Sequence, residues 1–285
     1  MFEPHLPSPV TELADERLGG IRVFLKRDDL IHPELTGNKW RKLKYNLRAA
    51  AEQGATTLLT FGGAYSNHLR ATAAAGRFFG FQTIGVVRGE EHLPLNDSLA
   101  YATGCGMRLI YLDRATYRRK RDSDVISRLR DRFGGFHLLP EGGSNPLALR
   151  GCAELPAELE PPYDVVCCPC GTGGTLAGIA AGLPEGSRAL GFAVLKGGFL
   201  AREVSALQHQ AYGRDRGDWS VEDRFHFGGY ARTTTELAAF GDDFAARHGL
   251  VLERVYVVKM MYGIFALAAE GAFPHGSRIV AVITG

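Results

Sequence analysis

The chain has 285 residues, 22% charged and 45% hydrophobic, enough to bury the core of one large or two modest domains of roughly 100 to 200 residues each. Lys+Arg total 33 against 31 Asp+Glu, a net charge of +2, which excludes a highly charged disordered tail and argues against a dedicated nucleic-acid binder. Glycine is the outlier at 36 residues, against an average of about 7%, so the reading turns on where the glycines fall.

Short β-rich runs alternate with Ala-rich helical runs. Ile21 to Lys26 comes first, followed by Lys26-Arg-Asp-Asp29 and then Thr36-Gly-Asn-Lys-Trp-Arg-Lys-Leu-Lys44 at a helix start. Thr57 to Phe61 leads through Gly62 and Gly63 into Tyr65-Ser-Asn-His68 and a helix reaching Ala75. Gln82 to Val87, Met107 to Leu112 and Phe136 to Leu139 follow, with a basic stretch from Arg114 to Arg132 that reads as a solvated helix. Asp164 to Cys168 precedes Gly171-Thr-Gly-Gly-Thr175, then come Arg188 to Val194, a core helix over Met260 to Leu267, and Ser277 to Ile283. Strand, glycine turn and helix in repetition predict an α/β protein with largely parallel sheet. Gly54, Gly80, Gly104, Gly106 and Gly182 follow helices, where a left-handed cap is wanted. Gly37, Gly62, Gly63, Gly142, Gly143, Gly171, Gly173 and Gly174 sit instead at strand ends before helices, where open α/β sheets bind ligands.

Five cysteines, an odd number at spacings unlike a secreted disulfide framework, suggest free thiols and a cytoplasmic protein. No run approaches the ~18 apolar residues of a membrane span, and the start MFEPHLPSPV lacks the basic-then-apolar pattern of a secretory leader. Cys167-Cys-Pro-Cys170 has no second pair to complete four ligands, so no metal is expected and alternation in a buried strand is the better reading. Arg114 to Arg132 lacks interleaved aromatic residues, so no nucleic-acid partner is expected.

Three pieces can carry chemistry. Gly171 to Thr175 opens a helix, whose free N–H groups and positive dipole end suit a phosphate; a tight strand-helix turn is the bland alternative. There is no Lys of a P-loop and no third glycine of a dinucleotide fingerprint, Leu176 standing there instead. Lys39 lies four residues before Leu43 on the face continued by Leu47; an apolar, electropositive setting would lower its pKa and fit it to form a Schiff base. The neighbouring basic residues 41, 42 and 44 could equally mark a solvated face. Ser66 and Asn67 are N-cap types whose helix start would also accept a carboxylate, and a lone His68 is more often a hydrogen-bonded structural residue.

In this order the pieces resemble the 1-aminocyclopropane-1-carboxylate deaminase and D-cysteine desulfhydrase family of fold-type II pyridoxal-phosphate enzymes, from Lys-Arg-Asp-Asp at 26 to 29 through Gly-Asn-Lys at 37 to 39, Ser-Asn-His at 66 to 68, Pro-Glu-Gly-Gly at 140 to 143 and Gly-Thr-Gly-Gly-Thr at 171 to 175 to the Tyr256 region. The resemblance implies two doubly wound open-sheet domains of the tryptophan-synthase-β-like kind. Residues 1–41 and 152–285 would form the large domain that binds the cofactor, and 42–151 an inserted small one. Lys39 would hold pyridoxal 5′-phosphate as a Schiff base, Asn67 its 3′-oxygen, and Gly171, Thr172, Gly173, Gly174 and Thr175 its phosphate. Ser66 would stand at the substrate end, with Tyr230 and Tyr256 lining the pocket. The family also implies a small amino-acid substrate and a homodimer.

His68 and Thr284 are similar to the desulfhydrase pattern, whereas Val257, next to Tyr256, matches neither branch, which carry Glu or Ser/Thr there. A neutral residue near the pyridine nitrogen favours β-elimination, to pyruvate, ammonia and sulfide, over ring opening to 2-oxobutanoate and ammonia. Lys39, freed when the substrate amine displaces it, would remove the α-proton. A phosphate-ligand binder or nucleotide oxidoreductase without pyridoxal phosphate is the alternative of another class.

Overall fold

The computed structural model describes residues 2–35, 37–160 and 162–284; Thr36 of the motifs above lies outside them. The chain begins with β1 (Val10–Leu13), β2 (Arg22–Lys26), α1 (Lys39–Glu52), β3 (Thr57–Gly62), α2 (Asn67–Phe79), β4 (Gln82–Arg88), α3 (Asp97–Gly104) and β5 (Arg108–Leu112). Then come α4 (Arg114–Arg118), α5 (Ser123–Phe133), β6 (His137–Leu139), α6 (Pro146–Cys152), β7 (Val165–Cys170), α7 (Gly174–Gly182) and β8 (Arg188–Ala193). The last elements are α8 (Leu200–Tyr212), β9 (Asp218–Glu222), α9 (Thr235–His248), α10 (Val257–Ala269) and β10 (Arg278–Val282).

Two sheets form. One has the order β1-β2-β10-β7-β8-β9, parallel except for β1 against β2, and the other is β5-β4-β3-β6, parallel throughout. Both are covered on two faces, as parallel sheets require. On β3, Leu58 packs with Leu43 and Leu47 of α1 and Ala71, Ala74 and Ala75 of α2, while Leu59 and Phe61 pack with Tyr117, Val125 and Leu129 of α4 and α5. On β7, Val165 and Cys167 face the core with α10; Val166, Cys168 and Cys170 face α7 and α8. The cysteines therefore alternate across a buried strand, all five in the chain are free, and among the described residues no group of three or more His, Cys, Asp or Glu is placed to hold a metal. Among the described residues no helix is long and apolar enough to cross a membrane.

The chain passes from one sheet to the other through α1 and returns through α6. At that crossing a Cβ on Gly151 would lie 1.8 Å from the carbonyl oxygen of Arg41, so only glycine lets the two helices approach this closely.

Several local expectations are corrected. The stretch 114–132 is two helices broken at residues 119–122, with Tyr117, Val125 and Leu129 buried. Gly54, Gly80 and Gly106 take positive φ as expected of caps, but Gly104 and Gly182 end their helices without it. Gly182 instead clears the carbonyl oxygen of Ala153, which an added Cβ would approach to 2.1 Å. The basic run after Lys39 is not a solvated face: Arg41 and Lys42 are buried, and Lys44 pairs with Glu154.

Candidate active site

A cavity of about 210 Å³ opens where the carboxyl ends of β3, β4, β7 and β10 meet the starts of α1, α2 and α7. Every residue singled out for chemistry lines it except Gly174: Lys39, Ser66, Asn67, Gly171, Thr172, Gly173, Thr175, Tyr230, Tyr256 and Thr284. Gly174 is buried behind the loop at the first turn of α7.

Lys39 is the first residue of α1, half-buried, and its Nζ donates to Asn38 Oδ1 at 2.6 Å. Burial, with the nearby Lys42 ammonium adding to it, pulls its pKa down to about 7. An amine that is substantially neutral at pH 7 is a nucleophile and a base. Asn38, itself buried, donates onward to Thr175 Oγ1 at 2.9 Å. Gly37 permits the approach: its φ is +60°, and a Cβ there would fall 1.2 Å from the carbonyl oxygen of Thr284.

The Gly171 to Thr175 loop is a cradle from which side chains are excluded. A Cβ on Gly171 would stand 3.2 Å from the Tyr256 ring, one on Gly173 (φ +80°) 2.8 Å from Val204, and one on Gly174 2.4 Å from Ser144 Oγ. Ser144 Oγ lies 2.6 Å from Thr172 Oγ1 and accepts from Lys42 Nζ at 3.1 Å; Lys42 also donates to the Gly142 carbonyl at 2.8 Å. Lys42 is buried and lines the cavity, with no carboxylate in ion-pair contact among the described residues, and burial lowers its pKa. Sequence reading left it in the basic run; its position three residues after Lys39, on the same helix face, was the available signal.

Ser66 caps α2, its hydroxyl accepting from the Leu69 N–H at 3.3 Å, and Asn67 is the first helical residue. His68 is not the hydrogen-bonded structural residue expected. It is buried against Gly143 and lines the cavity, with neither ring nitrogen bonded. Burial, then the two lysines, push its pKa well below the ordinary histidine value, so the ring is neutral.

Tyr230 and Tyr256 meet edge to face, centroids 5.9 Å apart. Burial raises the pKa of both phenols, Tyr256 strongly, so both hydroxyls keep their protons at neutral pH. The Glu253 carboxylate fixes Tyr256 by accepting from the N–H groups of Val255 and Tyr256 at 2.9 and 2.6 Å. Lys259, missed in sequence because its neighbours are apolar, is buried and donates to the carbonyls of His226 and Gly229 at 2.9 and 2.7 Å. It thereby anchors the turn that carries Tyr230. Val257 does not face the cavity: it is fully buried in the core with Met260, Met261 and Leu237, because the turn at the start of α10 points it away from Tyr256. Thr284, beyond the end of β10, lines the cavity instead.

Lys-Arg-Asp-Asp at 26 to 29 is a support outside the cavity. Arg41 grips Asp28 at 2.7 Å and Glu158 at 2.6 Å, and Glu158 also takes Lys26 at 2.8 Å.

A neutral lysine, a cradle a Cβ would fill, an unpaired buried cation beside it and an orphaned imidazole together fit a phosphorylated carbonyl compound. Known proteins agree. The family described as "Pyridoxal-phosphate dependent enzyme" matches residues 2–285. A putative 1-aminocyclopropane-1-carboxylate deaminase of Pyrococcus horikoshii is 31% identical over 93% of this chain and 85% of its own. A bifunctional D-cysteine desulfhydrase/1-aminocyclopropane-1-carboxylate deaminase of Arabidopsis thaliana is 27% identical over 99% and 76%. The crystal structure of an ACC deaminase homologue superposes with a TM-score of 0.84 at 28% identity, covering 100% of this chain and 90% of that one. These matches span both sheets and leave no place for a cofactor-free phosphate binder or a nucleotide oxidoreductase. The chain belongs to the pyridoxal-phosphate-dependent enzymes of fold type II, as a lyase whose cofactor is pyridoxal 5′-phosphate.

Proposed function

We propose that the enzyme eliminates the β-substituent of a small amino acid in the manner of a D-cysteine desulfhydrase, giving pyruvate, ammonia and sulfide. The observation that carries this reading is the shared cavity of a lysine with a pKa of about 7, a helix start at Ser66 and two protonated tyrosines. Gly171 to Thr175 and Lys42 would hold the cofactor phosphate, Asn67 its 3′-oxygen and Thr284 its ring nitrogen. The bound cofactor supplies an electron sink for the charge left at Cα. The Ser66 hydroxyl and the N–H groups of α2 orient the substrate carboxylate. Lys39 Nζ, whose pKa of about 7 leaves much of it neutral at pH 7, would hold the cofactor and, once freed, take the α-proton. The Tyr256 hydroxyl, protonated because it is buried, donates to the departing thiolate. Glu141, the carboxylate lining the cavity, is already engaged by Lys120 and Tyr117. A hydroxyl, rather than a free carboxylate, would thus serve the ring nitrogen, which would suit a substrate whose leaving group shares the work.

Ring opening of 1-aminocyclopropane-1-carboxylate is the second reading, favoured by the names of the relatives. Borohydride reduction of the loaded protein should fix the cofactor on Lys39, and D-cysteine should yield sulfide and pyruvate. Production of 2-oxobutanoate from the cyclopropane substrate with no sulfide from D-cysteine would overturn the choice.

Residues 42–151 are proposed as the inserted small domain, supported by the separate β5-β4-β3-β6 sheet and by the contact of Gly151 with Arg41 at its two ends. A cytoplasmic homodimer is proposed on the free cysteines and the family resemblance; sedimentation of the purified enzyme as a monomer would reject the dimer.

A further inference from the structure

Pro33 has no N–H, so the first donors of the turn after His32 are the amides of Glu34 and Leu35, and both point at one atom. His32 Nδ1 accepts from them at 3.1 and 3.2 Å. A side chain that takes the N–H groups two and three residues ahead closes a turn in the way asparagine or aspartate does. The ring is buried, with the centroids of Phe2 and Phe78 at 4.6 and 5.1 Å. The turn is fastened at two further points. Leu35 is fully buried with Leu43 and Leu47 of α1, and the Glu34 carboxylate accepts from the Tyr101 hydroxyl of α3 at 2.6 Å and from Arg77 of α2. Phe78 and Arg77 end the helix whose other end is Ser66 and Asn67. Two residues past Leu35 comes Gly37, which fits against the Thr284 carbonyl, and then Asn38 and Lys39. An imidazole whose Nδ1 accepts is neutral and carries its proton on Nε2, whereas an imidazolium accepts nothing.

We propose that His32 is a positioning residue for Lys39: its ring closes the turn that delivers the cofactor lysine to the cavity and registers it against α2, the helix that carries Ser66 and Asn67. This rests on the reading of Lys39 as the point of cofactor attachment. It acts through the amides of Glu34 and Leu35 and touches neither cofactor nor substrate. Burial lowers the pKa of the ring; the Glu34 carboxylate pulls the other way, and the facing His5 and Arg77 add to the lowering. The neutral ring and both of its bonds are therefore present at pH 7, and they are lost as the pH falls through a value below the ordinary histidine figure of about 6.5. Acid thus loosens the lysine through His32 while the cradle residues stay in place.

The test uses 4′-deoxypyridoxine 5′-phosphate, a cofactor analogue without the aldehyde, which can fill the cradle but cannot bond to Lys39. The concentration that displaces pyridoxal phosphate from the holoenzyme, followed by cofactor absorbance, reads the ratio of the two affinities. At about pH 8, where Lys39 is neutral in every variant, His32→Leu keeps an apolar side chain and removes the acceptor. It should lower the displacing concentration about tenfold or more, because only the bonded cofactor depends on where Lys39 stands. His32→Asn places an amide oxygen where Nδ1 stands and should restore the wild-type value to within about threefold. Asparagine does not titrate, so wild type and His32→Asn should keep a constant ratio above about pH 6.5, and wild type should fall away from it below. Protonation of Lys39 lowers both alike. An unchanged displacing concentration in His32→Leu would mean that cofactor and analogue are affected equally, as by a merely structural residue, and would overturn the proposal. If His32→Leu does not fold, parallel curves for wild type and His32→Asn down to about pH 5 would overturn it unaided. Borohydride reduction that fixes the cofactor on a residue other than Lys39 would overturn the attachment reading, and this inference with it.

Discussion

Asn38 joins the two halves of the site: its amide donates to Thr175 Oγ1 at 2.9 Å while its carbonyl oxygen accepts from Lys39 at 2.6 Å. A neutral acceptor at that point leaves the Lys39 ammonium without a countercharge, so burial prevails and the pKa falls to about 7. The rate at which apo-protein captures pyridoxal phosphate should rise with pH and level off above about 7, since only the neutral amine attacks. Asn38→Asp puts a carboxylate beside the ammonium and should move that midpoint upward by about one unit or more. Stopped-flow absorbance of adduct formation against pH measures both; a wild-type midpoint above about 9 would show an ordinary lysine.

Lys259 acts on Tyr230 through the turn it anchors. Four residues there, Phe227, Gly228, Gly229 and Ala231, have positive φ, a conformation that alanine and phenylalanine adopt only when surrounding contacts impose it. Lys259→Met leaves the His226 and Gly229 carbonyls without their donor, at about 1–3 kcal/mol for each buried group. Thermal unfolding should shift downward, and proteolysis should begin within 227–231. Cofactor affinity should hold, because Lys259 bonds to the turn and to none of the cradle residues, while kcat/KM for substrate drops. Parallel loss of cofactor and substrate affinity would mean that Lys259 serves the whole fold and not the tyrosine.

The buried Arg41–Asp28–Glu158–Lys26 group should dominate acid sensitivity. Burial opposes the Glu158 charge, yet Arg41 and Lys26 hold its carboxyl down to about 2. A depressed carboxylate pKa stabilises the fold fully above the unfolded value of roughly 4.3, and that contribution disappears as pH falls from there toward 2. Glu158→Gln should cost about 3–5 kcal/mol at neutral pH, because it leaves the buried Lys26 without its carboxylate and Arg41 with Asp28 alone, and should flatten the decline of stability below pH 4. Urea midpoints at a series of pH values test both.

Sequence legibility followed the chemistry of each segment. The eight apolar runs became strands within one or two residues, because strands buried on both faces carry an unbroken apolar signal. The two edge strands of the six-stranded sheet were missed, since Val10–Leu13 is mostly exposed and Asp218–Glu222 reads Asp-Trp-Ser-Val-Glu. The cavity-lining glycines were legible because their neighbours in sequence are a strand and a helix. Lys42, Asn38 and Lys259 were not, since each acts on residues distant in the chain. Val257 was misjudged for a related reason: adjacency to Tyr256 in sequence says nothing about which way a side chain points as a helix begins.

Gly174 gives the most direct test of the cradle. Its added Cβ would lie 2.4 Å from Ser144 Oγ and 2.8 Å from Ser144 Cβ, and Ser144 is the hub that meets both Lys42 and Thr172. Gly174→Ala must therefore push Ser144 away, costing about 0.5–1.5 kcal/mol for each hydrogen bond lost and displacing Lys42, which donates to Ser144. The apparent Kd for pyridoxal phosphate, from fluorescence titration of apo-protein, should rise about tenfold or more. Gly135→Ala is the matched control: nothing lies within 4 Å of its Cβ and its φ is not positive, so its Kd should equal that of wild type. A Gly174→Ala Kd within twofold of wild type would remove the phosphate from this loop.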